Sequence, residues 1–341
     1  MLVDTRTNGA AGESWAPLLQ SVDKQCERLL SLPSEIALRA MNPPVWVAEA
    51  RPAKPVLDHR AECMAPTLAQ SDASLLNDLV RDGICLTSLQ ALGLEGTADM
   101  MAGADDLSDL LARRAGTAGF MAKHTITAHA TELLERDSIL RWGLQDRLLN
   151  LVEAYLGVPA AYDGALMYHS RPDGQEQGIR KWHRDREDEK VVKIGIYVSD
   201  VEEDDGPFQV FRPELQAQIE KRLSWRYAKL TQQGLDIAIR DRDWSWGVRT
   251  VTGQAGTVFI CDAARAHHRG KPPTRNARTA IFHSYFSRTP RHPFYCERSN
   301  MTRRELAEFA ATLPSRARDC ALWREQLPLS QRLIPRNRLT I

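Results

Sequence analysis

Apolar residues recur at helical spacing in the first half of the chain and at strand spacing in the second. Trp15, Leu18, Leu19, Val22, Cys26, Leu29 and Leu30 fall three and four apart, which predicts an amphipathic helix over 14–31. Residues 1–13 are polar and read as a disordered tail. The stretch from Pro43 to Pro66, rich in Pro, Ala and Arg, reads as an extended connector. A second helix is predicted from Asp72, as N-cap, through Leu75, Leu76, Leu79 and Val80 to a stop at Gly83. The longest helix is expected from about Ser138 to Leu156. Leu144, Leu148, Leu151, Val152 and Tyr155 line one face of it, and Gly157 ends it.

Beyond residue 160 the period changes. Ala165–His169, Val191–Ser199, Phe208–Phe211, Val248–Thr252, Thr257–Cys261 and Thr279–Phe286 are short, apolar and rich in β-branched or aromatic residues, with Gly, Pro and Asp between them. Such a series predicts antiparallel strands of jelly-roll or barrel type. A helical run, Pro213–Leu230, and a Trp-bearing stretch, Asp241–Gly247, interrupt the series as an insertion over 213–247. Residues 301–341 read as helical and basic. The fold class expected is therefore mainly β with flanking helices: a double-stranded β-helix core (jelly roll, cupin-like), N-terminal helices and a C-terminal helical tail. The expected divisions are an extension over 1–70, a main domain over 71–300 with its β core at about 160–290, and the tail over 301–341.

Composition changes little in this picture. The chain has 341 residues, 43% hydrophobic and 26% charged, with a formal net charge of +1. That length suffices for a sizeable core, and near-neutrality gives no global sign of nucleic-acid or anionic-membrane binding. Cys26, Cys63, Cys85, Cys261, Cys296 and Cys320 form no CxxC pair, so reduced thiols are expected rather than a disulfide framework or a zinc knuckle. The first residues lack a basic segment followed by an apolar one, and no apolar stretch approaches the ~20 residues of a membrane span. The expectation is a cytoplasmic protein.

The chemistry is concentrated in Trp182-His183-Arg184-Asp185. In a strand, residues i and i+2 point the same way, so His183 and Asp185 can grip one metal from one edge. Two His and one carboxylate on one face of an octahedron leave three open positions, the arrangement that suits non-haem Fe(II) oxygenases. Taken alone the pair arises readily by chance in a chain with nine histidines. Its surroundings add weight. An apolar strand, Val191–Val198, an acidic turn, Asp200–Asp205, and Gly206-Pro207-Phe208 follow it. Much later come Gly256–Asp262, then His267-His268-Arg269-Gly270, and Arg278 opening another apolar run. An arginine aimed into a barrel mouth suits a dicarboxylate, because its fork binds a carboxylate through two hydrogen bonds. The order His-x-Asp, His, Arg is what a 2-oxoglutarate site requires.

The runs WHRDREDEKVVKIGIYVSDVEEDDGPFQVF and GTVFICDAARAHHRGKPPTRNARTAIFHSYF resemble the core of the phytanoyl-CoA dioxygenase family. The resemblance covers about 75–290. It includes LLNDLVRDGICLT at Leu75–Thr87, similar to that family's opening helix and strand, and leaves out 1–70 and 213–247. It implies a double-stranded β-helix that uses Fe(II), 2-oxoglutarate and O2. Decarboxylation of the oxo acid to succinate and CO2 is coupled there to hydroxylation, desaturation or cyclisation of a small organic substrate. His183 and Asp185 would be the first two ligands. His268 would be the third, because the family's third ligand is often followed by Arg-Gly; His267 is its rival. Arg278 would bind the distal carboxylate of 2-oxoglutarate. Tyr197, on the strand lining the co-substrate pocket in relatives, either touches it or packs in the core; Lys123 is a further candidate contact, with a solvated surface lysine as the favoured alternative. The carboxylate at Asp185 argues against halogenation, since halogenating relatives carry a small residue there. Trp225, Trp244, Trp246, Arg240 and Arg242 make the insertion either a substrate lid, or an appendage packed for stability or a dimer contact. The alternative function is a cupin-like, metal-dependent jelly-roll enzyme that does not use 2-oxoglutarate.

Overall fold

The computed structural model describes residues 16–42, 68–240, 243–297, 299 and 301–337, with side chains from residue 25 onward. The expected tail over 1–13, the whole 43–66 connector with Cys63, and Arg242 lie outside the described residues. Among the described residues nine strands form two sheets: β1 (Ile84–Ser88), β2 (Thr125–Thr127), β3 (Ala160–Ser170), β4 (Val192–Tyr197), β5 (Phe208–Phe211), β6 (Val248–Val251), β7 (Thr257–Asp262), β8 (His268–Gly270) and β9 (Arg278–Ser287). The large sheet runs β1-β7-β4-β9-β3-β2 and the small one β6-β5-β8, every pairing antiparallel. This is a double-stranded β-helix with helices before and after it.

Alternation along the strands splits the core in two. Ile194 and Ile196 of β4, Val258 and Ile260 of β7, and Ile281 and Tyr285 of β9 pack outward against the helices 97–115, 138–142 and 146–156. Their neighbours Tyr197, Phe259, Cys261, Ala280 and Phe282 turn inward to meet Phe208 and Val210 of β5. A side chain on Gly195 would come within 2.1 Å of the Phe259 ring, so glycine there lets that ring stack on Phe208 at 4.4 Å between the sheets.

Several expected elements shift. The first helix runs on to Met41 through Pro33, and Leu38 is buried against Tyr227, Phe294 and Tyr295. Helix 70–82 is capped by Ala69, not Asp72. Asp72 lies in its first turn, bound by Arg147 at 2.8 Å. The long helix is two, Ser138–Trp142 and Asp146–Leu156. The break falls at Gly143, whose carbonyl accepts from the Tyr285 hydroxyl at 2.5 Å and whose Cα faces the His283 ring too closely for a side chain. A 19-residue helix over Thr97–Ala115 was not expected, because an alanine interrupts its stripe of Met100, Ala104, Leu107 and Leu111. Within the insertion, helix 213–220 is shorter than expected and a second covers 232–239. Leu215, Ile219, Leu235 and Ile239 are buried with Trp182 and Phe211, so the insertion packs on the small sheet. Cys26, Cys85, Cys261 and Cys320 are free thiols. Among the described residues no helix is long and apolar enough to cross a membrane.

Candidate metal centre

The segment carrying His183 and Asp185 is extended, but it is held by single bridges and is not a strand. His183 and His268 exchange both backbone hydrogen bonds, 3.1 and 2.9 Å, and the Asp185 amide donates to Ala263 O at 2.9 Å. Directly opposed residues bring their side chains together, and the two rings lie 4.5 Å apart. The next inward position, Asp185, completes the set. Ligand atoms of His183, Asp185 and His268 all fall within 4.8 Å of one another, with all three residues buried.

The local hydrogen bonds decide which nitrogens face the centre. Nδ1 of His183 lies 2.7 Å from Lys181 O, and Nδ1 of His268 lies 3.2 Å from Ala266 O. A carbonyl only accepts, so each Nδ1 carries a proton and each Nε2 is the nitrogen left to face the centre. Burial, then the neighbouring His268, holds His183 well below the usual imidazole value, against the pull of Asp185. A neutral His183 imidazole beside a carboxylate is the protonation state a cation requires.

His267 points the other way. Its amide donates to Gln216 Oε1 at 2.8 Å, its ring nitrogens face Gln216 Oε1 and Ala228 O at 3.1 and 3.3 Å, and the ring packs 5.5 Å from Phe211. Burial lowers it to about 3. His268, and not His267, thus faces His183 and Asp185.

Neighbouring groups hold the ligands in place. Asp262 Oδ1 accepts from the amides of Val191, Ala264 and Arg265, and its Oδ2 from the Tyr155 hydroxyl at 2.7 Å, which fixes the turn leading to His268. Arg269 projects from the outer face of β8. It donates to Gln209, Glu176 and Gln232 at 2.9–3.0 Å and lies 4.2 Å above the Trp182 ring. Arg184 clasps Ala264 O at 2.8 Å and pairs with Glu220.

Arg278, at the start of β9, is 2% exposed. One nitrogen donates to Gly206 O, and its Nε is buried without a hydrogen-bond partner among the described residues. A side chain on Gly270 would meet its guanidinium at 2.4 Å, so the fork lies over the inward face of β8 two residues beyond His268. At ~3.3 Å per residue that offset is ~7 Å, a span on the order of a five-carbon diacid. Tyr197 stands apart from this lane by its bonding. Its hydroxyl donates to Val251 O at 2.7 Å and accepts from the Phe208 amide at 2.8 Å, tying the two sheets together. Lys123 lies over the Phe120 ring at 4.6 Å.

One neighbour of the centre was not singled out in the sequence. Lys193 Nζ lies 2.5 Å from Asp185 Oδ2. The signal was a lone lysine in the otherwise apolar strand Val191–Val198, at an inward position.

No protein-family model matches the sequence, and no curated protein matches it. Solved structures are similar in part. The chain matches the non-heme alpha ketoglutarate dependent epimerase SnoN from nogalamycin biosynthesis at 15% identity, over 64% of this chain and 82% of that one, with a TM-score of 0.42. EctD from S. alaskensis with 2-oxoglutarate and 5-hydroxyectoine gives 16%, 69%, 83% and 0.43. HygX from Streptomyces hygroscopicus with nickel and 2-oxoglutarate bound gives 14%, 68%, 90% and 0.43. At such overlaps these likenesses add nothing to the reading of the centre, which stands on its own geometry: two imidazoles and one carboxyl group, buried in a double-stranded β-helix with an arginine behind them.

Proposed function

We propose that this chain is a non-haem Fe(II)- and 2-oxoglutarate-dependent oxygenase of the phytanoyl-CoA dioxygenase type, acting on a small organic substrate. The observation that carries it is the convergence of His183, Asp185 and His268 with the partly unsatisfied, buried guanidinium of Arg278. The donor set fits a ferrous ion: three groups on one side, two nitrogens and one oxygen, with positions left for other ligands. Fe(II) held there supplies oxygen activation linked to decarboxylation of the oxo acid. The protein's part is to bind and exclude. Arg278 takes the distal carboxylate through its fork, because a buried cation gains most from an anionic partner that water cannot replace. Phe208, Phe259 and Phe282 line the space between the sheets and keep it dry. Arg269 and Asp262 fix His268, so the ligands need no rearrangement on binding.

The test is succinate release by the purified chain under Fe(II), 2-oxoglutarate and air, across candidate substrates. Arg278→Ala is expected to lower affinity for 2-oxoglutarate by ~10–100-fold, the worth of a charged hydrogen-bonded contact. A variant that keeps full 2-oxoglutarate affinity overturns the co-substrate assignment and favours a jelly-roll metalloenzyme of another kind.

A further inference from the structure

Asp185 presents its two oxygens to different partners. Oδ1 lies 3.9 Å from His268 Nε2, on the side of the imidazoles, while Oδ2 lies 2.5 Å from Lys193 Nζ. The ion pair is enclosed: the side chains of Asp185 and Lys193 are 0% and 12% exposed. In such surroundings attraction between opposite charges is little screened. Room for the ammonium is built into the sheet, because the residues paired with Lys193 on either side are the small Cys261 and Ser284.

A carboxylate can hold a metal through one oxygen or through both. Through one, the three side chains leave three positions of an octahedron. Through both, they leave two, which a chelating oxo acid fills, and O2 then has none. We propose that Lys193 is a positioning residue: its ammonium holds Oδ2 of Asp185 away from the metal, so that the aspartate binds through Oδ1 alone and the third open position survives. The proposal rests on the metal assignment above for the occupant of the site, and on the pair's geometry for the role of the lysine. Lysine suits the task better than arginine, because a compact ammonium on a flexible stem reaches one oxygen without covering the other.

The experiment is water-proton relaxation of the Mn(II) form, without co-substrate, which counts waters on the metal. The wild type, Lys193→Met and Lys193→Gln are compared, with melting curves to establish that each variant is folded. Three metal-bound waters are expected in the wild type and two in Lys193→Met, a loss of about one third of the inner-sphere relaxation. Lys193→Gln, which keeps a donor, is expected to retain more of it than Lys193→Met. Unchanged relaxation in a folded, Mn(II)-loaded Lys193→Met overturns the role of the lysine and leaves the metal centre standing. A wild type that takes up no Mn(II) overturns both.

Discussion

At the scale of single residues, adjacent histidines do opposite things. His268 faces the centre, whereas His267 is bound by Gln216 and Ala228 O. Titration with Co(II) is therefore expected to show His268→Ala losing affinity by at least ~100-fold, more than an outer partner of a ligand is worth. His267→Ala is expected to keep the metal while losing ~1–3 kcal/mol of stability, because a buried ring is removed and its side-chain hydrogen bonding to Gln216 and Ala228 O goes with it, although the backbone amide still bonds Gln216. Burial lowers His283 to about 3 and His292 to about 4, from an ordinary 6.5. The unfolded chain thus binds protons that the folded one does not. Stability is untouched above pH 6.5 and falls as pH drops from there towards 4, by ~1.4 kcal/mol per pH unit for each group. Calorimetric melting between pH 7 and 4.5 checks this, and His283→Gln is expected to shed about half of the slope contributed by the pair. The grouping of His183 with Asp185 was legible in the sequence because residue type and spacing carry it, and Arg278 stood out there as a candidate for the proposed co-substrate. Choosing His268 over His267 from the sequence needed a family resemblance, since neighbours on a strand differ only in direction. Lys193 and Asp262 were not legible, because their meaning lies in what stands opposite them.

At the scale of elements, the inner strands were readable to within a few residues because alternation and β-branching mark them. The pieces missed were set by contacts remote in sequence. The turn at Gly143 exists because Tyr285 and His283 press on it, and β8 is a three-residue strand that only its pairing with β5 defines. Under the proposed function, that short strand bears most directly on co-substrate binding. Gly270→Ala is expected to push the Arg278 fork off its seat, raising the 2-oxoglutarate KM by ~10-fold or more while Co(II) affinity stays within a few-fold, since His268 keeps its backbone pairing. Equal loss of both affinities would mean that β8 as a whole had moved. The insertion, which read equally as lid or appendage, shows a buried face of Leu215, Ile219, Leu235 and Ile239. Replacing Leu235 by Ala is expected to destabilise the fold by ~2–5 kcal/mol in denaturant titrations.

At the scale of the whole molecule, the first helix reaches back to the metal segment. Glu35 pairs with Arg186 at 3.4 Å, and Asn42 meets His292 at 2.8 Å, whose other nitrogen lies 2.5 Å from Arg186 O. Nothing in the composition of 14–31 announced this, because its docking residues lie in the continuation beyond Pro33. The reciprocal backbone bonds between His183 and His268 have a consequence of their own. These two residues stand 85 apart in the chain, and the loop between them contains β4 to β7. A cation gripping both imidazoles is a removable cross-link across that loop, and it stabilises the closed form by mass action, by ~2.7 kcal/mol at a hundredfold excess over its dissociation constant. Chelation is accordingly expected to register in the architecture before any substrate is known. With EDTA, trypsin should cut faster at the arginines and lysines between 213 and 247, and added Mn(II) should restore their protection.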